Sequence, residues 1–270
     1  RYDDPTGKYY VGDEQALLKA FWKNRDPRFN RACLYNGREW PVAGRPADNR
    51  MYNALGVSNA DDQYGVNPNA GVNAANNDIF SGMYNYKVSD LSLTQDKVMT
   101  FDIDYILMRF AEVMFIYAEA ANENGHSDVA IDLLKQIRKR AGINETSSNP
   151  EMKGKVYGLN PNMNQTEMRE AVREERFIEL LFEQKRLWDM RRWMIYDKLM
   201  NGQGKRHALV MNKQADNTYT TYLFDRDNTP MITNQNIYFL PMKRSEMSNN
   251  PNLEQTKGWE NGTFDPQAGL

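Results

Sequence analysis

Residues 102–125 read DIDYILMRFAEVMFIYAEAANENG, and this stretch decides the fold. Ile103, Ile106, Leu107, Phe110, Met114, Tyr117, Ala118 and Ala121 recur at the helical period. Met108, Val113, Phe115 and Ile116 fill the gaps between them. The predicted helix, Asp102 to Asn124, is therefore apolar nearly all round and is expected to be buried. Gly125 stands at the C′ position, where a left-handed residue closes a helix. Ser127 is then expected to cap a second helix to about Arg140, with Ala130, Leu133, Leu134, Ile137 and Ala141 inward. Two helices joined by a tight turn make an antiparallel hairpin. It is similar to one tetratricopeptide unit, with no second copy at the ~34-residue period.

Working outward, Asp13 can cap a short helix over Glu14 to about Lys23. Asp26-Pro27 should end it, because a residue before proline avoids the α region. Residues 31–40 suit a short strand or extended piece, closed by Asn36-Gly37. No period is clear from Arg45 to Asp90. Asparagine recurs there at 49, 53, 59, 67, 69, 73, 76 and 77, as befits turns. Tyr52, Tyr64, Phe80, Tyr84 and Tyr86 argue against simple disorder, which is normally poor in aromatics. An ordered, functional loop region is expected.

Downstream, residues 143–165 form a polar loop. Thr166 is expected to cap a third long helix running to about Met200, where Asn201-Gly202 stops it. Residues 203–235 should be loop or short strands, Ile237 to Leu240 a strand or extended segment, and the tail from Ser248 turn-rich. The chain reads as one domain over residues 1–270: a loop-rich ligand region about 31–100, a helical core about 102–202 and an irregular C-terminal segment 203–270. The fold class is mostly α with little β.

Composition excludes several functions. The chain has 270 residues and a formal net charge of −2, so no basic excess exists to neutralise nucleic-acid phosphates. No apolar run approaches the ~20 residues of a membrane span. The lone Cys33 rules out an internal disulfide framework, and two histidines, His126 and His207, leave no HExxH site. Asp225-Arg-Asp227-Asn228-Thr229 begins like a calcium loop, but Pro230 replaces the required glycine and Asn236 the final glutamate. Arg1 to Pro5 carry no initiator Met and no signal-peptide pattern, as expected of a fragment or of a chain whose leader was removed.

Three segments together resemble the SusD/RagB family of nutrient-binding lipoproteins on the surface of Bacteroidetes. The first is Tyr105 to Ala120, with Arg109, Glu112, Tyr117, Ala118 and Glu119, followed by Ile137-Arg138-Lys139-Arg140-Ala141-Gly142. The second runs Arg173 to Trp193, with Glu175, Arg176, Glu179, Phe182, Glu183, Arg186, Trp188, Asp189 and Arg192. The third is Tyr238-Phe239-Leu240-Pro241, then Asn250-Pro251 to Gly258-Trp259. Asp26-Pro27-Arg28-Phe29 with Gly37 and Trp40 adds a weaker match. Gln184 stands where the family usually has Gly, and Thr256-Lys257 where it has Asn-Pro.

The resemblance implies the C-terminal half of a longer SusD-like protein. The lipidated cysteine and most tetratricopeptide-like helix pairs would lie outside this sequence, so any membrane attachment would be a lipid anchor elsewhere. It implies a place at the outer-membrane surface, over a SusC-like TonB-dependent transporter. It also implies capture of oligosaccharides or peptides, with no catalysis; no cofactor and no metal are expected.

Glu175, Glu179 and Glu183 recur every four residues, on one face of the predicted third helix. Paired carboxylates suit glycoside hydrolysis. A catalytic acid needs a raised pKa, however, and the nearby arginines lower it. A structural charge network is expected, comprising Arg109, Glu112, Glu175, Arg176, Glu179, Glu183, Arg186 and Asp189. Arg109 and Glu112 should form a core pair, and Asp189 should pair with Arg192 while Trp188 and Trp193 pack inward.

Ligand contacts are expected in the loops. Sugar rings stack their C–H faces on aromatics, and their hydroxyls need amides, carboxylates and arginine at the rim. Trp40, Tyr52, Tyr64 and Tyr84 supply the first, and Asn49, Arg50, Asp61 and Asp62 the second. Tyr35 and Tyr86 flank them, and about half of these aromatics should be buried anchors. Two other readings stay open: a helical scaffold docking the transporter, and a carbohydrate-active enzyme using the glutamates.

Overall fold

The computed structural model describes residues 10–12, 25–35, 38, 83–88, 90, 92–94, 97, 100–102, 104–200, 207–213, 219–225 and 234–268. The chain forms two compact units, Arg1–Gln184 with Ala208–Phe224, and Lys185–His207 with Asp225–Leu270. It is mostly helical. No helix among the described residues is long and apolar enough to cross a membrane.

The first unit contains strand β1 (Tyr10–Gly12), helix α1 (Pro27–Ala32), strands β2 (Cys33–Tyr35) and β3 (Met83–Asn85), and helices α2 (Phe110–Glu123), α3 (Ser127–Arg140) and α4 (Gln165–Glu179). Asp26 caps α1: its side chain accepts from the Arg28 N–H, and Pro27 sits where a missing N–H costs nothing. β2 pairs antiparallel with β3, Leu34 opposite Tyr84. β4 (His207–Lys213) and β5 (Tyr219–Asp225) lie largely in this unit, and β5 runs between β4 and β1 in a three-stranded sheet. The predicted helix at 14–23 lies outside the described residues.

The helical hairpin forms as the period requires, but its boundaries shift. α2 starts at Phe110, not Asp102, and Arg109 before it is extended. Ser127 is the first residue of α3 and not its cap: its hydroxyl donates to the Asn122 side chain (2.7 Å). Asn164, not Thr166, caps α4, accepting from the Thr166 and Glu167 N–H groups while Glu167 accepts from the Asn164 N–H. α4 ends at Glu179, far short of Met200, because Phe182 and Gln184 take left-handed φ values of 65° and 60°.

The core of this unit joins Phe115 and Ala118 of α2, Ala130, Ile131, Leu134 and Ile137 of α3, Met168 and Val172 of α4, and Leu159 and Leu180. α2 is not buried all round. Its buried stripe is Ala111, Glu112, Phe115, Ala118, Ala121 and Asn122. Phe110 and Tyr117, expected inward, are 76% and 56% exposed, and Ile106 and Leu107 are exposed ahead of the helix.

The second unit contains helices α5 (Arg186–Arg192), α6 (Tyr196–Met200) and α7 (Arg244–Asn249). The segment Gln235–Tyr238 is a 3-10 turn, so of the extended piece expected over Ile237 to Leu240 the first two residues are in the turn and Phe239 is extended. Side chains fold this unit's tail back on it. Gln255 both donates to the Met242 carbonyl and accepts from its N–H, and Trp259 Nε1 donates to the Phe239 carbonyl (2.9 Å).

Candidate functional site

Met168, Val172, Glu175, Arg176 and Glu179 share the buried side of α4. A carboxylate there is costly unless it is paired. Arg28 Nη1 lies 2.7 Å from Glu175 and 2.9 Å from Glu179. Arg138 Nε donates to Glu175 Oε2 (2.6 Å), and Arg140 pairs with Glu179. Arg109 reaches Glu179 at 2.8 Å and grips Glu183 with Nε at 2.7 Å and Nη2 at 2.8 Å. Lys87 pairs with Glu183 as well.

The same cations close the helix. Arg109 and Lys87 donate to the Glu179 carbonyl, at 2.8 and 2.7 Å, and Lys87 also to that of Leu181 at 3.3 Å. These oxygens have no partner further along the helix, and positive charge at a helix C-terminus is favourable. Glu183 lies past the helix end, so the expected i, i+4, i+8 face is cut to Glu175 and Glu179.

One expected pairing is corrected. Arg109 and Glu112 do not pair with each other. Arg109 turns to Glu179 and Glu183, and Glu112 meets Arg176 at 3.1 Å with both side chains buried. The Arg109 side chain precedes the helix that carries Glu112, so it projects away from that helix's buried stripe. Arg186 belongs to the second unit, where burial lowers its pKa and the charge of Asp189 works the other way.

Arg28 was missed as a network member. Its only signal was the match over Asp26-Pro27-Arg28-Phe29. Asp26 aims it, accepting from Arg28 Nε (2.8 Å) and Nη2 (2.7 Å).

The electrostatics oppose acid catalysis. Burial pushes Glu179 up, but hydrogen bonds from Arg28 and Arg109, and the charges of Arg109 and Arg140, outweigh it and hold the carboxyl below its ordinary value. Glu183 is likewise lowered: Arg109 and Lys87 overcome its burial. Both are held as anions.

Among the candidate ligand residues, Trp40, Asn49, Arg50, Tyr52, Asp61, Asp62 and Tyr64 lie outside the described residues. Tyr84 is placed on β3, opposite Leu34. Tyr35 stacks on Phe29 at 5.1 Å, and its hydroxyl donates to the Asn30 side chain. Tyr86 is buried beneath the Arg38 guanidinium, 4.3 Å from the ring centre. Residues 226–230 of the calcium-like loop lie outside the description. No group of His, Cys, Asp or Glu among the described residues could hold a metal.

The second unit holds an open cavity of about 640 Å³, lined by Trp188, Arg191, Tyr238, Leu240 and Phe264 among others. Trp188 was expected to pack inward and is 60% exposed. The break after α4 resets the helical register, and Trp193 takes the buried place. Arg192 covers the Trp193 face at 4.6 Å and donates to Asp189 at 3.0 Å. The Arg191 guanidinium lies 5.6 Å from the Trp188 ring centre. An aromatic face beside a guanidinium is chemistry a sugar ring can use.

Comparisons with known proteins agree with this architecture. The SusD family model, SusD_RagB, matches residues 8–259. Over 149 residues, covering 55% of this chain and 26% of the relative, the chain is 30% identical to SusD-like protein P2 of Formosa agariphila. A solved SusD-like protein from Bacteroides fragilis matches with a TM-score of 0.65 at 21% identity, over 93% of this chain and 41% of that one. The chain therefore spans about a quarter of the curated relative's length and about two-fifths of the solved one's.

Proposed function

Since the chain belongs to the SusD family, we propose that it captures a nutrient oligosaccharide at the cell surface and passes it to a SusC-like TonB-dependent transporter in the outer membrane. The family is one of binding proteins, and this chain is read as no enzyme. The observation that carries the reading is the match of the SusD family model over residues 8–259; the cations paired with Glu179 and Glu183 lower the pKa of both carboxylates and so oppose an acid catalyst there. A glycosidase acid must start protonated, with its pKa raised.

The ligand shelf is proposed on the loops, with Trp40, Tyr52, Tyr64 and Tyr84 as stacking rings and Asn49, Arg50, Asp61 and Asp62 at the rim. The cavity beside Trp188 is the alternative place within the described residues. Affinity is expected to be modest, because an open shelf buries less of a ligand than an enclosed pocket does. A peptide is the alternative ligand.

Calorimetry against soluble oligosaccharides and peptides tests this, with Trp40→Ala, Tyr64→Ala and Trp188→Ala beside the parent. Saturable glycan binding weakened by a loop substitution supports the shelf. Weakening by Trp188→Ala alone moves the site to the second unit. Absence of any binding by a folded protein favours a scaffold that docks the transporter.

A further inference from the structure

The cavity of the second unit is built from α5 and the folded-back tail. The order Trp188-Asp189-Met190-Arg191-Arg192 carries two i, i+3 pairs, and residues at that spacing are neighbours on a helix. Asp189 is buried and pairs with Arg192 Nε at 3.0 Å. Trp188 and Arg191 form the other pair, with the guanidinium 5.6 Å from the ring centre. Both line the cavity of about 640 Å³, together with Tyr238, Leu240, Phe264 and Gln267. That volume falls within the ~300–1,000 Å³ of small-molecule sites.

Most polar groups around it are committed to the fold. The Tyr238 hydroxyl donates to the Asp197 carboxylate and accepts from the Asp197 N–H (2.9 Å). Thr256 Oγ1 donates to the Leu240 carbonyl at 3.0 Å. Asp265, next to Phe264, pairs with Lys257 at 2.9 Å. Arg191 is different. It is in no ion pair among the described residues, and no carboxylate among them lines the cavity. The Gln267 side-chain amide likewise makes no hydrogen bond among the described residues. What this leaves for a ligand is an indole face, apolar walls, one guanidinium and one amide.

A sugar ring lays its C–H face on an indole. A guanidinium grips a planar anion through two parallel N–H···O bonds, and such charge-assisted bonds are roughly twice as strong as neutral ones. A neutral sugar stacked on Trp188 would displace water from the Arg191 charge without compensating it. An anionic sugar satisfies both groups at once. Resting on the reading of the chain as a glycan-binding protein, we propose that this cavity is a subsite for an acidic sugar. Its ring stacks on Trp188, its carboxylate or sulfate ester is held by Arg191, and a hydroxyl meets Gln267. The nutrient is then a charged glycan.

Calorimetry on the intact protein compares tetragalacturonate with its methyl ester, which keeps the rings and removes the charge. A sulfated galactan tetrasaccharide beside its desulfated form tells carboxylate from sulfate. The expected result is about tenfold tighter binding of at least one charged form than of its uncharged counterpart. Arg191→Gln is expected to abolish that preference with an unchanged thermal midpoint, and Trp188→Ala to weaken charged and uncharged forms alike. Equal affinity for charged and uncharged forms overturns the proposal, and that comparison needs no variant. Affinities untouched by Trp188→Ala overturn it as well. A preference that survives Arg191→Gln but is lost in Trp40→Ala or Tyr64→Ala overturns it and leaves the proposed function standing. Absence of binding to any glycan overturns both.

Discussion

Gln184 holds φ at 60°, a left-handed conformation that an L side chain adopts at a cost of about 1–2 kcal/mol. Sequences of this family usually place Gly there. Gln184→Gly removes the strain, but glycine's freedom in the unfolded chain returns part of the gain. The expected net effect is about 1 kcal/mol of added stability, read as a higher urea midpoint with an unchanged slope. Glu179 is the opposite case. Glu179→Gln leaves Arg28, Arg109 and Arg140 facing a neutral amide in a buried setting. Removing one partner of a buried ion cluster costs about 3–5 kcal/mol. Glycan affinity should be unchanged in the variant, provided it is measured well below its melting temperature. Unchanged melting with lost turnover on a glycan would instead make Glu179 a catalytic group.

At the scale of elements, the tail of the second unit depends on two close backbone approaches. A Cβ at Gly262 would lie 2.1 Å from the Thr256 carbonyl oxygen, and one at Gly258, where φ is 92°, would lie 3.0 Å from Asn236 Cβ. The first obstacle is backbone and cannot swing aside. Gly262→Ala is expected to cost about 2 kcal/mol or more and to loosen the Trp259 bond to the Phe239 carbonyl. A red shift of tryptophan emission in the folded variant would report it. The same scale shows why helix centres were legible and helix ends were not. The 3.6-residue period of Phe115, Leu134 and Val172 is written in local sequence. The end of α4 is set instead by Lys87 and Arg109, which cap its carbonyls from far along the chain, and by left-handed turns at residues carrying no glycine. Asn164 and Glu167 spelled a capping box, yet Thr166 two residues later offered a rival cap. For the charges, sequence indicated that the glutamates would be paired. Which arginine meets which glutamate depends on how separate elements align, so Arg28, 151 residues from Glu179, went unforeseen. Trp188 was misplaced for a related reason, since one continuous helix would have turned it inward.

Across the molecule, ion pairs hold distant parts of the first unit in register. Arg28, Lys87 and Arg109, with Arg138 and Arg140 of α3, come from four places in the chain and converge on Glu175, Glu179 and Glu183. This ties stability to pH with a definite sign. The folded pKa values of Glu179 and Glu183 are lowered, so the folded state binds fewer protons than the unfolded one. Their contribution is fully present above the unfolded value, about 4.3, and is lost as pH falls through the folded values. Urea midpoints should therefore stay level between about pH 7 and pH 5 as far as these two groups decide, then fall steeply toward about pH 3. Salt separates this from surface effects: 0.5 M NaCl screens exposed pairs such as Arg244–Glu260 but barely reaches the side chain of Glu179, which is 6% exposed. Glu183→Gln should flatten the acid limb in part, because Glu179 keeps its own partners. An acid limb of unchanged steepness in that variant would mean that other carboxylates set the pH dependence and that the Arg–Glu cluster is not what holds the first unit together.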